Sequence, residues 1–258
     1  MLSYQHLYHA GNLADVHKHA MLASALAYLA QKDKPLTYLE THAGRALYDL
    51  SSPQAVKTGE AAAAHVADGW FPPDHPYARA LAQTRAAHGP DAYPGSPMIA
   101  ALTMRRGDRL HLAELHPQEH AALARAMAKW PAATVSRRDG IEMALSITPP
   151  VPRRGLCLID PSYEIKDDYT TLPATIAHLH RRWNVGVLML WYPLLDGDPH
   201  LPMLDTLSAT HADALRHEVR FPPARPGHRM TGSGLFVINP PWGLMPEAAR
   251  LSALYAAL

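Results

Sequence analysis

The sequence predicts an α/β protein on three observations. Short continuous apolar runs recur along the chain, each run ends in a polar or small residue, and Ala- and Leu-rich helical text separates the runs. The runs cover residues 36–40 (LTYLE), 110–114 (LHLAE), 156–160 (LCLID), 185–192 (VGVLMLWY) and 235–239 (LFVIN). Runs of this kind read as strands buried on both faces, which a parallel sheet covered by helices requires. Helical text fills 20–31, 117–129 and 172–182, and Pro117, soon after the strand end at Glu114, suits the first turn of a helix.

Residues 47–93 break the alternation. They hold helical text at 60–67 and 77–88 around the Pro-rich WFPPDHP, with no convincing strand, and read as a helical insertion after the first strand. The expectation is therefore one domain over 1–258, with 47–93 inserted within it. The Pro-rich stretches at 148–154 and 221–229 read as loops entering strands.

The chain of 258 residues is 48% hydrophobic, enough to bury a sizeable core. Its single Cys, Cys157, excludes an intrachain disulfide framework and any Cys-based zinc cluster, and agrees with a reducing, cytoplasmic compartment. No signal-like apolar segment opens the chain and no run approaches the ~20 residues of a membrane span. A soluble protein without a membrane partner is expected. The net charge of +1 decides nothing about nucleic acid, because 17 imidazoles can add positive charge. Arginines do cluster locally: Arg105, Arg106 and Arg109; Arg137 and Arg138; Arg153 and Arg154; Arg181 and Arg182; and Arg216, Arg220, Arg225 and Arg229. Paired arginines of this kind read either as solvated element ends or as phosphate contacts.

Ligands of an open parallel sheet bind beyond the carboxyl ends of the strands, where strand order reverses. Strand-end residues are therefore the candidates. Glu40-Thr41-His42-Ala43-Gly44 puts a small-residue turn directly after a strand, although a dinucleotide fingerprint is absent and Gly44 stands alone. Glu114 ends the second run and can accept hydrogen bonds from ribose hydroxyls, but it lies far beyond the usual ~20 residues from the turn unless the insertion intervenes. Taken alone, Glu40 and Glu114 read as solvated strand ends.

Asp160-Pro161-Ser162-Tyr163 is more informative. An exocyclic base amine is a poor nucleophile because its lone pair is delocalised into the ring. A carboxylate and a fixed backbone carbonyl that accept its two N–H bonds draw it towards a nucleophilic geometry, while an aromatic face stacks on the base. Asp160, the Pro161 carbonyl and Tyr163 have these types and this spacing. The bland reading is a strand ending in a proline turn with a packed Tyr. Asn239-Pro240-Pro241-Trp242 fits the amide-Pro-Pro-aromatic form better, but too little chain follows Trp242 for it to end a catalytic fourth strand, so order favours Asp160.

The N-terminal segment concentrates Tyr4, His6, His9, Asn12, Asp15, His17, Lys18 and His19. A metal site is weighed and set aside: Lys18 opposes a cation, and His17 and His19 point to different faces of a helix. A carboxylate or phosphate partner suits Lys18 better.

Read together, these residues resemble the RlmJ-type family of bacterial 23S ribosomal RNA adenine-N6 methyltransferases. The match runs in order through SYQHLYHAGNLADVHKH, KDKPLTYLETHAG, YPGSP, LAELHP, DG, RRGLCLIDPSYE, LWYP and MTGSGLFVINPPW, nearly the whole chain. The resemblance implies a Rossmann-like class I S-adenosylmethionine-dependent methyltransferase with a helical insertion, acting on 23S rRNA at the family's adenine 2030. It implies cofactor contacts at His19, His42, Ser96, Glu114, Asp139 with Gly140, and Asp160. Ser96, before Pro97, is expected to N-cap a helix and expose amide donors. Glu114 is expected to take the ribose and Asp139 the cofactor's adenine amine. Tyr4, His6 and Lys18 are expected to bind the substrate adenine or close the site, and Asp160, Pro161 and Tyr163 to be catalytic. No metal or protein partner is implied, and a monomer is expected.

Three departures from the family pattern stand out. Ser162 replaces a second proline, removing a rigid φ and adding an N–H, so weakened aim of the Pro161 carbonyl and weakened activity are expected. Ala46 stands where relatives often have Gly and is expected to crowd the cofactor turn. The chain ends soon after NPPW, without the family's final segment. The alternative reading is an RNA-binding member that keeps the fold with impaired catalysis; a His/Asp metal hydrolase is the third.

Overall fold

The computed structural model describes residues 5–225 and 227–258. A 3-10 turn (His6–Tyr8) leads into α1 (Leu13–Ala30), β1 (Thr37–Glu40) and β2 (Leu47–Asp49). Then come α2 (Pro53–Thr58), α3 (Glu60–Ala63), α4 (Pro76–His88), β3 (Ala92–Pro94) and α5 (Ser96–Thr103). The second part runs β4 (Arg109–Ala113), α6 (Pro117–Met127), β5 (Ala133–Ser136), α7 (Gly140–Ile147), β6 (Gly155–Ile159) and α8 (Asp168–Arg182). It closes with β7 (Val187–Leu195), α9 (Leu201–Thr210), β8 (Leu215–Arg220), β9 (Met230–Ile238) and α10 (Leu244–Tyr255). No helix among the described residues is long and apolar enough to cross a membrane.

Seven strands form one sheet in the order β5-β4-β1-β6-β7-β9-β8, with β9 antiparallel to both neighbours and all other pairings parallel. From β1 the chain steps outward to β4 and β5, then returns to β6 on the other side. This is a Rossmann-like sheet, and its order reverses beside β1, so the carboxyl ends of β1 and β6 flank the crevice.

Alternation along the central strands divides the core. Tyr38, Leu156, Leu158, Val187, Met189, Leu235 and Val237 pack on one face with α1, α5 and α10. Leu39, Cys157, Ile159, Leu188, Leu190, Phe236 and Ile238 pack on the other with α8 and α9. Burial on both faces accounts for the continuous apolar runs seen in the sequence.

The structure departs from expectation at the sheet's edges. β5 (ATVS) and β8 (LRHEVR) are edge strands with exposed positions, so neither shows an apolar run. β9 begins at Met230, well before the expected start, and runs antiparallel. Glu114 and Asp160 lie just past β4 and β6 rather than inside them. The 47–93 segment holds α2, α3 and α4 but also β2, and β2 pairs antiparallel with β3, so its two ends are joined as a ribbon. α1 starts at Leu13, with the Asn12 side chain accepting from the Asp15 N–H at its N-cap.

Candidate active site

A cavity of about 270 Å³ lies at the carboxyl ends of β1, β4, β6 and β7. Of the residues singled out in the sequence, it brings together His6, Lys18, His19, His42, Ser96, Glu114, Asp160, Pro161, Ser162 and Tyr163.

α1 reaches the cavity with buried polar side chains. Lys18 is 4% exposed, and its ammonium contacts Asp160 Oδ2 at 2.7 Å and Asp15 Oδ1 at 3.1 Å. Burial opposes the Lys18 charge, but the two carboxylates outweigh it and hold its pKa above the ordinary lysine value. Asp15 also accepts from the Gly11 N–H at 2.9 Å and contacts His6 Nε2 at 2.9 Å. Burial would raise the Asp15 pKa; His6, Lys18 and His19 hold it well below the usual carboxylate range. His19 is pushed down to about 3 by burial, with Lys18 and His6 adding to the effect, so a neutral ring faces Tyr93 OH at 2.9 Å. The partner of Lys18 is thus a carboxylate.

The turn after β1 is held from several sides. The Gly44 and His116 N–H groups donate to the two oxygens of Glu114 at 2.9 and 2.7 Å. Glu114 is therefore a pinned acceptor rather than a solvated strand end, with lone pairs left for hydroxyls. Gly44 has φ +60, and a Cβ there would lie 2.4 Å from Tyr48 Oη. Arg45 forks onto Glu119 at 2.7 and 2.8 Å. Glu40 is fully buried and accepts from Ser96 Oγ and from Tyr38 Oη. Its desolvation pushes its pKa up to about 8, against the lowering effect of those two donors. Ser96 is the first residue of α5, whose N-cap is Gly95 with no side-chain cap, so its hydroxyl serves Glu40 and the expected Ser96 cap is absent.

After β6, Pro161 is buried and Ser162 exposed, while Tyr163 adopts φ +55, rare for a bulky residue and worth about 1–3 kcal/mol of strain. This turn drives the Tyr163 hydroxyl onto the Trp191 carbonyl at 2.8 Å. The ring is 8% exposed and packs on Tyr169 with centroids 4.6 Å apart, which leaves it little free face for a base.

Other expected residues lie elsewhere. Asp139 and Gly140 sit past β5 but do not line the cavity. Asp139 Oδ1 caps α7 by accepting from the Glu142 N–H at 2.9 Å. Gly140 is glycine because a Cβ would lie 1.8 Å from the Thr41 carbonyl oxygen. Tyr4 lies outside the described residues. Asn239 ends an antiparallel strand whose last residue Ile238 pairs with Leu188, so it sits at the opposite edge of the sheet from Asp160, where its amide donates to the Asn184 and Gly186 carbonyls. Ala46 has φ +66 and is buried just behind the cavity lining, where its carbonyl accepts from the Gly95 N–H at 2.9 Å.

The arginines sort by edge. At the amino ends of the strands, Arg105 donates to the Ala30, Lys32 and Lys34 carbonyls, Arg154 to Leu29 and Lys34, and Arg182 to Thr148. At the carboxyl ends, Arg137, Arg138, Arg220 and Arg229 are exposed and make no ion pair among the described residues.

Sequence reasoning did not assign a site role to Asp15, Glu40, Tyr48 or Trp191. The strand-end rule reaches Glu40, whose burial could not be read from TYLE alone. Asp15 had a spacing signal, lying one helical turn before Lys18. Trp191 lay within a run that read as plain strand, with no signal that β7 projects it into the cavity.

A family model described as "RsmJ: Ribosomal RNA large subunit methyltransferase D, RlmJ" matches residues 33–256. The chain is 40% identical to "Ribosomal RNA large subunit methyltransferase J" of Escherichia coli (strain K12) over 250 residues, covering 95% of this chain and 89% of that protein. It is 38% identical to the protein of the same name from Haemophilus influenzae over 258 residues, covering 97% and 92%. A crystal structure of a Legionella pneumophila protein matches with TM-score 0.85 and 34% identity over 95% of this chain and 92% of that one.

Proposed function

Since the chain belongs to the RlmJ family of ribosomal RNA large subunit methyltransferases, with their class I fold and S-adenosylmethionine as methyl donor, we propose that it methylates the N6 amine of an adenine in 23S rRNA, at the family's adenine 2030. The observation that carries this reading is the meeting, in one cavity, of the Asp160-Pro161 strand end with the Gly44 turn, Glu114 and Lys18.

The donor set fits S-adenosylmethionine. A turn with a left-handed glycine lets backbone approach closely, pinned Glu114 offers acceptors to hydroxyls, and Ser96 opens α5 at the cavity. We assign to cofactor binding His19, His42, Ser96, Glu114 and Asp160, with Asp139 and Gly140 at the outer end of the same sheet edge. When bound, the cofactor supplies an electrophilic methyl group on a positively charged sulfur.

The chain's own residues prepare the amine. Asp160 has one oxygen committed to Lys18, and its other oxygen, with the Pro161 carbonyl, accepts the two amine hydrogens. That pull localises the nitrogen lone pair. Lys18 fixes the carboxylate's orientation, His6 and Tyr4 are assigned to binding the target adenine, and Tyr163 braces the strand end against Trp191. On this reading 47–93 is an insertion within a single methyltransferase domain, and the protein acts as a monomer on cytoplasmic rRNA.

The test is transfer of labelled methyl from S-adenosylmethionine to unmodified 23S rRNA, with the modified base mapped. N6-methyladenine at one position supports the reading, and Ser162→Pro is expected to raise the rate severalfold. If the natural chain binds RNA but transfers nothing while Ser162→Pro does, the chain is an impaired member. If neither transfers, methylation of this base is wrong.

A further inference from the structure

Next to Lys18 on α1, His17 leads away from the cavity. It is fully buried, with Nδ1 2.8 Å from Ser233 Oγ on β9 and Nε2 2.9 Å from His217 Nδ1 on β8. His217 Nε2 continues to Ser252 Oγ on α10 at 2.9 Å. At the other end, Ser233 Oγ lies 2.9 Å from Trp191 Nε1, and Trp191 lines the cavity. Five side chains from five elements thus join the cavity wall to α10.

Only one arrangement of hydrogens uses every donor buried along this chain. An indole N–H can only donate, so Ser233 Oγ accepts from Trp191. The Ser233 hydrogen then points to His17 Nδ1, His17 carries its proton on Nε2 and donates to His217 Nδ1, and His217 carries its own on Nε2 and donates to Ser252. The reverse order leaves the hydroxyl hydrogen of fully buried Ser233 without an acceptor. Both imidazoles are neutral in this arrangement. Burial lowers both pKa values, aided in His17 by His217 and opposed in His217 by the Ala248 carbonyl and by Glu247 and Glu218.

The consequence falls on the cavity. The indole cannot rotate without losing its acceptor, the main-chain carbonyl of Trp191 accepts from the Tyr163 hydroxyl, and the Lys18 ammonium sits 5.3 Å from the indole ring centre. Tyr163 is largely covered, whereas Trp191 is only partly buried. We propose that Trp191 is the aromatic wall against which the target base is set, and that Ser233, His17 and His217 are positioning residues that fix the plane of its indole. This rests on the base-methylation reading above.

The experiment compares Trp191→Phe, which keeps a ring but loses the N–H, with Ser233→Ala, the double variant and Trp191→Ala. On unmodified 23S rRNA transcript each single variant is expected to lose about tenfold in kcat, the double to lose no more than the singles, and Trp191→Ala to lose about a hundredfold. Affinity for S-adenosylmethionine, measured by calorimetry, is expected to stay at the natural value, which shows that the fold is intact. Without cofactor, quenching of protein fluorescence by an rRNA fragment is expected to fall in Trp191→Phe. Full activity in the single variants, losses that multiply in the double, cofactor affinity that falls with kcat, or unchanged quenching would each overturn the proposal. Natural chain that methylates no adenine would overturn the base-methylation reading and this inference with it, whereas active natural chain with indifferent variants overturns this inference alone.

Discussion

Lys18 Nζ lies 2.7 Å from Asp160 Oδ2, joining the first long helix to a strand end 142 residues later. The pair sits where desolvation is costly, and Asp15 shares the same ammonium. Removing the cation leaves Asp160 without its counter-charge, and Asp15 with only His6 and the Gly11 N–H beside it, in a poorly solvated cavity. Lys18→Met is therefore expected to lower unfolding stability by about 3–5 kcal/mol, read from urea transitions at neutral pH. Asp160→Asn keeps the shape but weakens the pull on an amine, and is expected to lower kcat about a hundredfold or more. Equal activity of Asp160→Asn and the natural chain would remove Asp160 from the chemistry.

Ala46 balances opposed terms. Its left-handed φ of +66 costs an L-residue about 1–2 kcal/mol. Its buried methyl returns about 0.8 kcal/mol, and glycine would add backbone entropy of about 0.5–1 kcal/mol to the cost of folding. Ala46→Gly is thus expected to change stability by less than about 1 kcal/mol and to leave affinity for S-adenosylmethionine unaltered. A tenfold gain in that affinity by calorimetry would show that the methyl crowds the ligand after all.

The central strands were legible because burial on both faces writes them as continuous apolar runs, and Leu156 to Ile159 is the clearest case. The edge strands were not, since β5 and β8 need to satisfy only one neighbour and carry Thr134, Arg216 and Glu218 among exposed or half-exposed positions. Much of the site followed from strand ends, and Glu114 and Asp160 do meet there. The polar residues of α1 gave a site but not its contacts: Lys18 called for an anionic partner without naming Asp160, and His17, Lys18 and His19 are buried because each finds a partner from a distant part of the chain. Such pairings depend on tertiary approach, and no local pattern encodes them. Arginine pairs were equally ambiguous, because capping a carbonyl and contacting a phosphate draw on the same residue type.

Glu40 predicts a pH dependence. Its pKa is raised to about 8 by burial from the ordinary glutamate value of 4.5. A raised carboxyl favours the folded state fully only below its unfolded pKa, and that contribution is lost as pH climbs through the folded pKa. Stability of Glu40→Gln relative to the natural chain should therefore rise between pH 5 and about 8 and level off above it, by on the order of a few kcal/mol. Urea unfolding of both proteins at several pH values measures this difference, and a difference that does not change with pH refutes a raised Glu40.

The division of arginines between the two sheet edges predicts where RNA is held. Arg220 and Arg229 are exposed at the carboxyl edge of the sheet without an ion pair among the described residues, and β9 enters beside the end of β7 with Met230 opposite Leu195. Arg106 is exposed before β4, at the amino edge. If rRNA enters over the cavity, its phosphates meet the first pair and not the second site. Binding of an rRNA fragment should then lose about 0.7–0.9 from its log-log salt slope for each of Arg220→Ala and Arg229→Ala. Arg106→Ala should leave the slope unchanged, and cofactor affinity should be the same in all three. Arg105→Ala makes the contrast sharper: this guanidinium holds three carbonyls and Asp108, so its loss should lower stability while leaving the salt slope alone. A slope that responds to Arg106 and not to Arg220 or Arg229 would place the RNA on the opposite edge, where Asp160 cannot reach its bases.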